Sequence, residues 1–191
     1  MPLNRQPSRW TANAMQADHD QPKDNHEVRL LSQPNPELLE DMVRLFDQGQ
    51  APHHTAFPDH FGPANDIPAI TGYLRGFFKP RNPFRSRRGF AKGWFVDDQL
   101  SGYLLYYLHE TSNIFYGKTR WTCFVEDIVI DAEARSLGGA SRLITALLAE
   151  LEPLADCAIS ATVWSGNEAS DALFRKHGFE ALSKSFYRVS K

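Results

Sequence analysis

Apolar positions along the chain follow two different periods, and the changes between them mark the predicted elements. Short apolar or alternating runs predict strands, and apolar residues spaced three or four apart predict helices. The predicted strands cover residues 27–31, 89–96, 100–109, 121–130, 158–163 and 186–189. The predicted helices cover residues 36–48, 66–79, 138–151 and 168–177. Strands and helices in this order indicate an α/β (α+β) fold, in which one sheet carries helices on both faces.

The first helix has clear end signals in the sequence. Pro36 stands in its first turn, and Gly49 follows its last apolar position. Residues 51–66 are rich in proline and histidine and are therefore expected to form a loop. This loop holds a cluster of polar residues: His53, His54, Asp59 and His60. Because their spacing matches no metal-binding motif, solvated loop histidines are expected and a metal site is not.

Length and composition suit one domain preceded by a tail. Of the 191 residues, 42% are hydrophobic, which is enough for a full core. Residues 1–25 are polar and have no sustained period, so we expect a mobile tail there and a folded domain over residues 26–191. Cys123 and Cys157 each lie in an apolar run and are expected to be reduced core thiols.

Charge and hydropathy argue against several classes of function. The net charge of -2 gives no basic field that would attract nucleic acid, and the basic run 81–92 is interpreted as a solvated loop. No apolar run approaches the roughly 18 residues that a membrane helix needs. The N-terminus also lacks an apolar signal segment. A cytoplasmic protein with neither nucleic-acid nor membrane partners is therefore expected.

The turn after the fourth predicted strand has the composition of an anion site. The strand ends at Ile130, and residues 135–140, Arg-Ser-Leu-Gly-Gly-Ala, lead into a strongly apolar helix. Small residues at 138–140 let backbone N–H groups come close to a ligand, and a helix N-terminus favours an anion. Arg135 and Arg142 add positive charge. The alternative is a plain turn that uses glycine for tight packing; a P-loop and a Rossmann turn lack support, because their remaining motif residues are missing.

A second block follows at residues 163–179. The run Val163-Trp164-Ser165-Gly166-Asn167 precedes a short helix that ends in Lys-His-Gly-Phe. Together, the Arg-x-x-Gly-x-Ala turn and this block resemble the acyl-CoA-binding segments of the GNAT superfamily of acetyltransferases, in the family's order and separation. The resemblance covers about residues 27–191 and implies the family's mixed, mostly antiparallel central sheet.

The resemblance implies an N-acetyltransferase that uses acetyl-CoA as a co-substrate, needs no metal and acts on the primary amine of a small molecule. The implied reaction is direct attack by the neutral amine on the thioester in a ternary complex, with backbone N–H groups near Val129 and Ile130 binding the acyl carbonyl. The implied cofactor-binding residues are Ile128, Val129, Ile130, Arg135, Ser136, Leu137, Gly138, Gly139, Ala140, Ser141, Asn167 and Phe174. For Asn167, a helix N-cap is the alternative role.

Three further segments narrow the resemblance. Residues 102–110, 115–118 and 124–130 are similar to the spermidine/spermine N-acetyltransferase branch, with its Tyr-Tyr strand, Gly-Lys loop and Glu-Asp pair. This similarity suggests a polyamine or a related diamine as the acceptor. The sequence itself sets neither the acceptor, the acyl length nor the oligomeric state, and a homodimer is one option.

Glu126 and Asp127 interrupt an otherwise apolar strand. Because side chains alternate across a strand, the two carboxylates are expected on opposite faces. Burial of either one unpaired costs on the order of several kcal/mol, so at least one is expected to face a cleft, a water or a cation. By the resemblance, Glu126 accepts the amine proton, often through water. Asp127 is either catalytic or part of a structural ion pair or hydrogen bond.

Phe174 departs from the family pattern. Relatives often have a tyrosine at this position, in the helix after the asparagine turn, where it protonates the leaving thiolate. Phenylalanine keeps the packing role but has no proton to give, so Tyr187, Tyr106 or water is left as the general acid. The departure also keeps open a catalytically weak acyl-CoA-binding module.

Two more interpretations concern the surroundings of the site. An open acceptor groove would favour a protein N-acetyltransferase over a small-molecule enzyme. A serine hydrolase is disfavoured, because Ser136 and Ser141 belong to no paired His/Asp pattern. In this fold family the loop between the first two helices borders the acceptor pocket, so His54 and Phe57 are candidate substrate contacts.

Overall fold

The computed structural model describes residues 25–61, 66–78, 88–110 and 121–187. Its strands are β1 (His26–Leu31), β2 (Arg88–Val96), β3 (Gln99–Glu110), β4 (Trp121–Ile130) and β5 (Cys157–Ala161). Its helices are α1 (Pro36–Ala56), α2 (Ile67–Phe77), α3 (Gly139–Leu151) and α4 (Glu168–Lys176), with a short 3-10 turn at Ala132–Ala134. The predicted tail, residues 1–25, lies outside the described residues except for Asn25, and that prediction stays open.

The sheet has the order β1-β2-β3-β4-β5. The first three pairs are antiparallel, and β5 joins β4 in parallel. The hairpin between β2 and β3 turns at Asp97 and Asp98, whose φ angles are 48° and 63°. Aspartate tolerates this left-handed region better than most residues, and two such positions match the twist of a hairpin. The predicted mixed, mostly antiparallel sheet is confirmed.

Helices cover both faces of the sheet and divide the core in two. On one face, α1 and α2 pack over residues of β2, β3 and β4 such as Ala91, Tyr103 and Val129. On the other face, α3 and α4 pack over Trp94 and Tyr106, which are both fully buried. The candidate site lies at an opening beside β4, between α1 and α2 on one face and α4 on the other.

The first helix is longer than its end signals predict. It runs through Gly49 and Pro52 and stops only at Ala56, so residues 51–56 of the predicted loop are helical. Gly49 serves packing instead of termination, because a Cβ atom there would lie 2.9 Å from Cγ2 of Val129 on β4. The prediction of a helix end at Gly49 is therefore wrong.

The chain end and the cysteines also differ in part from the predictions. Residues 179–187 form no strand, so the predicted terminal strand is wrong for Phe186 and Tyr187, and its last two residues lie outside the described part. Strand β5 ends at Ala161, two residues early. Both cysteines are free, with Cys123 fully buried and Cys157 half-buried at the start of β5.

The described residues contain neither a membrane-spanning helix nor a cluster of metal-binding side chains. No helix in these ranges is both long enough and apolar enough to cross a membrane. The same ranges contain no group of three or more His, Cys, Asp or Glu side chains placed to hold a metal ion.

Candidate functional site

Strands β4 and β5 separate halfway along β4, and this separation opens the site. Their pairing runs from Trp121 with Cys157 to Val125 with Ala161 and stops there, although β4 continues to Ile130. In the described sheet, the edge of β4 beyond Val125 therefore has no strand beside it. Backbone N–H and C=O groups on such an edge are free to bind an extended ligand.

A cavity of about 300 Å3 lies at this opening. Both helices of one face, β4, the segment after β5 and α4 contribute to its walls. It is lined by Phe46, Gln50, His53, Phe61, Tyr73, Val125, Glu126, Asp127, Ile128, Ala161, Thr162, Val163, Trp164, Asn167, Ser170 and Phe174. The cavity thus brings together five predicted residues from two distant segments of the chain: Glu126, Asp127, Ile128, Asn167 and Phe174.

A β-bulge turns both carboxylates to the same side of the sheet. Leu105 of β3 pairs with Asp127, but Tyr106 pairs with Val125, so Glu126 is the extra residue between the two pairs. The bulge reverses the alternation, because Val125 belongs to the α3 and α4 face whereas Asp127 contacts a tyrosine of the other core. The prediction that Glu126 and Asp127 point to opposite faces is therefore wrong.

Each carboxylate accepts a hydrogen bond from a tyrosine. The hydroxyl of Tyr73 on α2 donates to Oε1 of Glu126 at 3.4 Å. The hydroxyl of Tyr103 on β3 donates to Oδ2 of Asp127 at 3.2 Å. Neither tyrosine is predictable as a site residue, because each occupies an apolar position of its helix or strand and reads as core. No signal in the sequence marks them as partners of the carboxylates.

The two carboxyl groups differ in their surroundings. Desolvation raises the pKa of Asp127 to about 7; the nearby charge of Glu126 also raises it, and hydrogen bonds from Tyr103 and the Ile128 backbone partly offset the rise. Glu126 is exposed to the opening. Burial, together with the adjacent carboxylates, raises the pKa of Tyr73 and of Tyr103. Both phenols are therefore neutral at physiological pH and act as donors.

The turn after β4 has the backbone shape of an anion site. Ser136 and Gly138 have φ angles of 70° and 80°, in the left-handed region. Gly138 is the N-cap of α3 and has no side chain to cap the helix. At the start of the helix, the N–H of Arg142 donates to the carbonyl of Gly138, whereas the N–H of Leu137 donates to the carbonyl of Ala134. The amides between them, at residues 139–141, belong to the first turn of the helix, where backbone N–H groups are available to a ligand.

The two glycines of this turn have different roles. Apart from its chain neighbours and the adjoining helix backbone, no described heavy atom lies within 4 Å of the position a Cβ would take at Gly138, so this side of the turn is open. A Cβ at Gly139 would lie 2.2 Å from Cε3 of Trp94. Gly139 is therefore required for the packing of α3 on the sheet, whereas Gly138 is required for the turn itself. Of the two glycines, only Gly138 supports the prediction that small residues let a ligand approach the backbone.

Helix α1 fixes the start of the turn. Arg44 forms an ion pair with Asp131, and Oε1 of Gln48 accepts a hydrogen bond from the N–H of Ala132 at 3.1 Å. Partial burial works against ionisation of Asp131, but the hydrogen bonds from Arg44 and from the Glu133 amide outweigh it and hold its pKa below the usual range. The turn is thus anchored at its first residues and open at its glycine.

Residues 40–179 match the model of the Acetyltransferase (GNAT) family. The chain belongs to the GNAT family. The match covers well over half of the chain and includes both the carboxylate pair and the glycine turn. The predicted class, an acetyltransferase that uses acetyl-CoA, is confirmed at the level of the family. A search of the curated proteins finds no match.

Solved structures share the fold of this GNAT chain. An aminoglycoside N-acetyltransferase in complex with CoA is 16% identical, with a TM-score of 0.62, covering 87% of this chain and 95% of that one. An aminoglycoside acetyltransferase from an uncultured soil metagenomic sample, in complex with sisomicin, is 15% identical, with a TM-score of 0.60, covering 87% and 97%. A transcriptional regulator from Bacillus halodurans is 14% identical, with a TM-score of 0.63, covering 86% and 99%. At these identities the likeness concerns the fold.

Four further predicted residues of the GNAT site have different surroundings. The side chains of Val129 and Ile130 belong to the two cores, and neither residue lines the cavity. Asn167 caps α4, with Oδ1 accepting from the N–H of Ser170 at 3.1 Å, so its alternative role as N-cap is observed while its side chain also lines the cavity. Phe174 is buried against Phe179 and has the packing role expected of it.

The two tyrosine candidates for the general acid lie in different parts of the structure. The Tyr106 hydroxyl donates to Glu150 at 2.6 Å on the α3 face, where Lys92 also binds Glu150, so Tyr106 lies away from the cavity. Tyr187 is exposed and lies beside the rings of Trp164 and His60, at 5.7 and 5.9 Å between centroids. Of the two, only Tyr187 lies near the cavity rim.

One contact was missed because it joins distant parts of the chain. Oγ of Ser141 lies 2.8 Å from Nε2 of His177, which ties the start of α3 to the end of α4. The sequence shows no paired His/Asp pattern for Ser141, and the histidine at this serine is brought there only by the fold. Burial and the nearby Lys176 lower the pKa of His177, and among the described residues no carboxylate contacts its ring, so a hydrolase triad is not formed.

The histidine-rich segment contributes a different residue from the two expected. His53 lines the cavity and stacks on Phe61, with the ring centroids 5.4 Å apart. Nδ1 of His54 instead bonds the carbonyl oxygen of Phe61 at 2.7 Å, and Phe57 packs behind Trp164. The helical continuation of α1 through residue 56 decides this, because it turns His53 toward the cavity.

Proposed function

We propose that this GNAT chain transfers the acetyl group of acetyl-CoA to the primary amine of a small molecule, by direct attack in a ternary complex. The observation that carries the proposal is the pair Glu126 and Asp127, held by tyrosines at the opening between β4 and β5, a few residues before the Gly138 turn. The reaction needs a group that accepts the amine proton, a backbone edge that binds the acyl carbonyl and a turn that binds the pyrophosphate. The acid pair, the unpaired edge of β4 and the Gly138 turn would supply these three functions.

The turn and the opening match the two ends of acetyl-CoA. Free amides at the start of α3, together with Arg135, Ser136, Leu137, Gly138, Gly139, Ala140 and Ser141, would hold the pyrophosphate. The backbone of Ile128, Val129 and Ile130 would bind the extended arm and the acyl carbonyl. Asn167 and Phe174 would form the facing wall. Acetyl-CoA supplies a thioester that the amine nitrogen attacks, forming an amide bond as the thiolate leaves.

Glu126 is placed to handle the proton of the acceptor. An alkylamine with a pKa near about 10.4 is almost fully protonated at neutral pH and is not a nucleophile in that form. The exposed Glu126 carboxylate attracts the ammonium ion and takes its proton, directly or through water. Tyr73 holds one oxygen of this carboxylate, and the partly protonated Asp127 lies next to it. Tyr187 or water then protonates the departing thiolate.

The proposal extends to the acceptor, the cellular compartment and the oligomeric state. A polyamine or diamine is the acceptor that the narrower sequence similarity suggests, and two of the structural neighbours are aminoglycoside acetyltransferases. We also propose a cytoplasmic location and a homodimer. A catalytically weak acyl-CoA-binding module is the second candidate function, and the specific observation in its favour is Phe174, which gives the cleft no hydroxyl at that position.

Release of free thiol from acetyl-CoA, measured with a panel of primary amines, tests the proposal. Turnover with at least one amine, and loss of that turnover in Glu126→Gln, is the expected result. Tight acetyl-CoA binding without thiol release from any amine would favour the binding module.

A further inference from the structure

Aromatic rings make up much of the cavity wall. Phe46 and Tyr73, with ring centroids 5.5 Å apart, lie on the same side of the sheet as Glu126. Farther out, Trp164 meets Phe61 edge to face, with centroids 4.7 Å apart and planes at 80°. We call these four rings, with His53 stacked on Phe61, the aromatic wall.

Negative charge is confined to one end of the same cavity. Among the described residues that line it, the carboxylates are Glu126 and Asp127, which are neighbours in the chain. Asp127 is the more enclosed of the two and is already hydrogen-bonded by Tyr103. The other polar side chains of the described lining bring no further carboxylate: Gln50, His53, Tyr73, Thr162, Asn167 and Ser170. The site therefore offers one strong partner for one cation and rings for the rest of the ligand.

We infer that the acceptor is a primary amine with a single cationic group joined by a short linker to a flat aromatic body, an arylalkylamine. The ammonium group faces Glu126, and the ring packs on Trp164 and Phe61 in edge-to-face or offset contact. This inference rests on the proposed function and narrows its acceptor.

Polycations fit the same surface less well. Asp127 lies beside Glu126 at the same end of the cavity and is already bonded by Tyr103, so a second ammonium group farther along the ligand would lose water against rings and amides. Attraction between a cation and a ring is worth less than a paired carboxylate in such a site. The wall thus selects against the acceptors that the sequence similarity and the structural neighbours suggest.

The test compares four amines of graded chemistry: 2-phenylethylamine, 2-cyclohexylethylamine, 1,3-diaminopropane and spermidine. We expect kcat/KM for 2-phenylethylamine to exceed that for both polyamines by about tenfold or more, and to exceed that for the cyclohexyl analogue, which has the bulk but no aromatic ring. A preference for spermidine or 1,3-diaminopropane over 2-phenylethylamine would overturn the inference.

A variant and two controls locate the effect. Trp164→Leu should lower kcat/KM for 2-phenylethylamine by about tenfold and change that for 1,3-diaminopropane by less than about threefold. Trp164→Phe keeps a ring and should restore most of the preference. Phe57→Leu is the matched control, because Phe57 packs on Trp164 with centroids 6.0 Å apart but does not line the cavity. An equal loss with every amine in Trp164→Leu would contradict the inference.

A binding measurement separates this inference from the proposed function. Calorimetry of 2-phenylethylamine with the CoA complex should show binding that Trp164→Leu weakens by about tenfold. If no amine is acetylated but this binding is seen, the proposed function fails and the aromatic site stands. If amines are acetylated but 2-phenylethylamine binds no more tightly than spermidine, the inference fails and the proposed function stands.

Discussion

Glu126 and Asp127 are adjacent in β4, yet both carboxylates accept hydrogen bonds from tyrosines on the same face of the sheet. The tyrosine partners are Tyr73, at 3.4 Å, and Tyr103, at 3.2 Å. A regular strand cannot place neighbouring side chains in this way. The bulge at Glu126 does so, and it also marks the point at which β4 and β5 separate. One local irregularity therefore creates both the acid pair and the cleft beside it.

Glu126→Gln tests the proton-handling role. Removal of a positioned general base lowers rates by about 10²–10⁴-fold, so turnover should fall within that range while acetyl-CoA affinity stays close to that of the wild type. The loss should shrink as the pH rises, because more of the amine is then already neutral. Steady-state rates between pH 6.5 and 9.5 (roughly the range below the amine pKa) check this. Full activity would move the role to Asp127 or water, and an equal loss at every pH with weakened CoA binding would make Glu126 structural.

Asp127 predicts a pH dependence of stability. Its pKa in the folded chain, about 7, lies above the ordinary value of 3.8, so the folded chain binds more protons than the unfolded chain between these values. Stability should therefore fall as the pH rises from about 4 to about 7 and stay reduced above that range. Asp127→Asn keeps an oxygen that accepts from Tyr103 but removes the charge.

Urea unfolding at pH 5 and pH 8 (roughly inside and above this window) measures the effect. Relative to Asp127→Asn, the wild type should lose a free energy of unfolding on the order of a few kcal/mol between the two pH values. Identical pH profiles for the two proteins would show that Asp127 is ionised in the folded chain throughout.

Gly138 provides a matched pair of substitutions in the turn. Gly138→Asp and Gly138→Asn introduce side chains of nearly the same shape, and both residues tolerate the left-handed conformation that the φ angle of 80° requires. Only aspartate adds a negative charge against the bound pyrophosphate. Calorimetry should therefore show a loss of acetyl-CoA affinity at least about tenfold greater for Gly138→Asp than for Gly138→Asn at low salt. Equal affinities in the two folded variants would remove the pyrophosphate from this turn.

Gly49 and Gly72 test the packing of the helices that carry the site. Gly49→Ala forces a Cβ to within 2.9 Å of Val129, so we expect a loss of about 1–3 kcal/mol in the free energy of unfolding. Gly72 lies in α2, and apart from the backbone of its own helix no described heavy atom lies within 4 Å of its Cβ position, so Gly72→Ala should stabilise the chain by about 0.4–1 kcal/mol. Thermal or urea unfolding gives both values. Equal effects of the two substitutions would contradict the close contact between α1 and β4.

The sequence pattern predicts most elements because their signals are local. The bounds of β4, the starts of α1, α3 and α4, and the glycine turn all follow from apolar period and capping residues. The end of α1 does not, since Gly49 looks like a stop signal and only its contact with Val129 reveals another role.

The candidate site is less accessible to sequence reasoning, because it is built by pairing. The bulge depends on the register between β3 and β4, and no property of Glu126 itself signals it. Tyr73 and Trp164 look like ordinary apolar residues until the fold brings them to the carboxylates. The contact between Ser141 and His177 spans 36 residues and has no local trace.

Mass spectrometry of the acceptor after incubation with acetyl-CoA distinguishes an acetyltransferase from a binding module. We expect an amine to gain one acetyl group for each thiol released by the wild type, and Glu126→Gln to form this product about 10²–10⁴-fold more slowly. Gly138→Asp should need more acetyl-CoA than Gly138→Asn to reach the same rate. If calorimetry shows that acetyl-CoA binds and no amine of the panel is acetylated, the chain is a binding module and not an acetyltransferase.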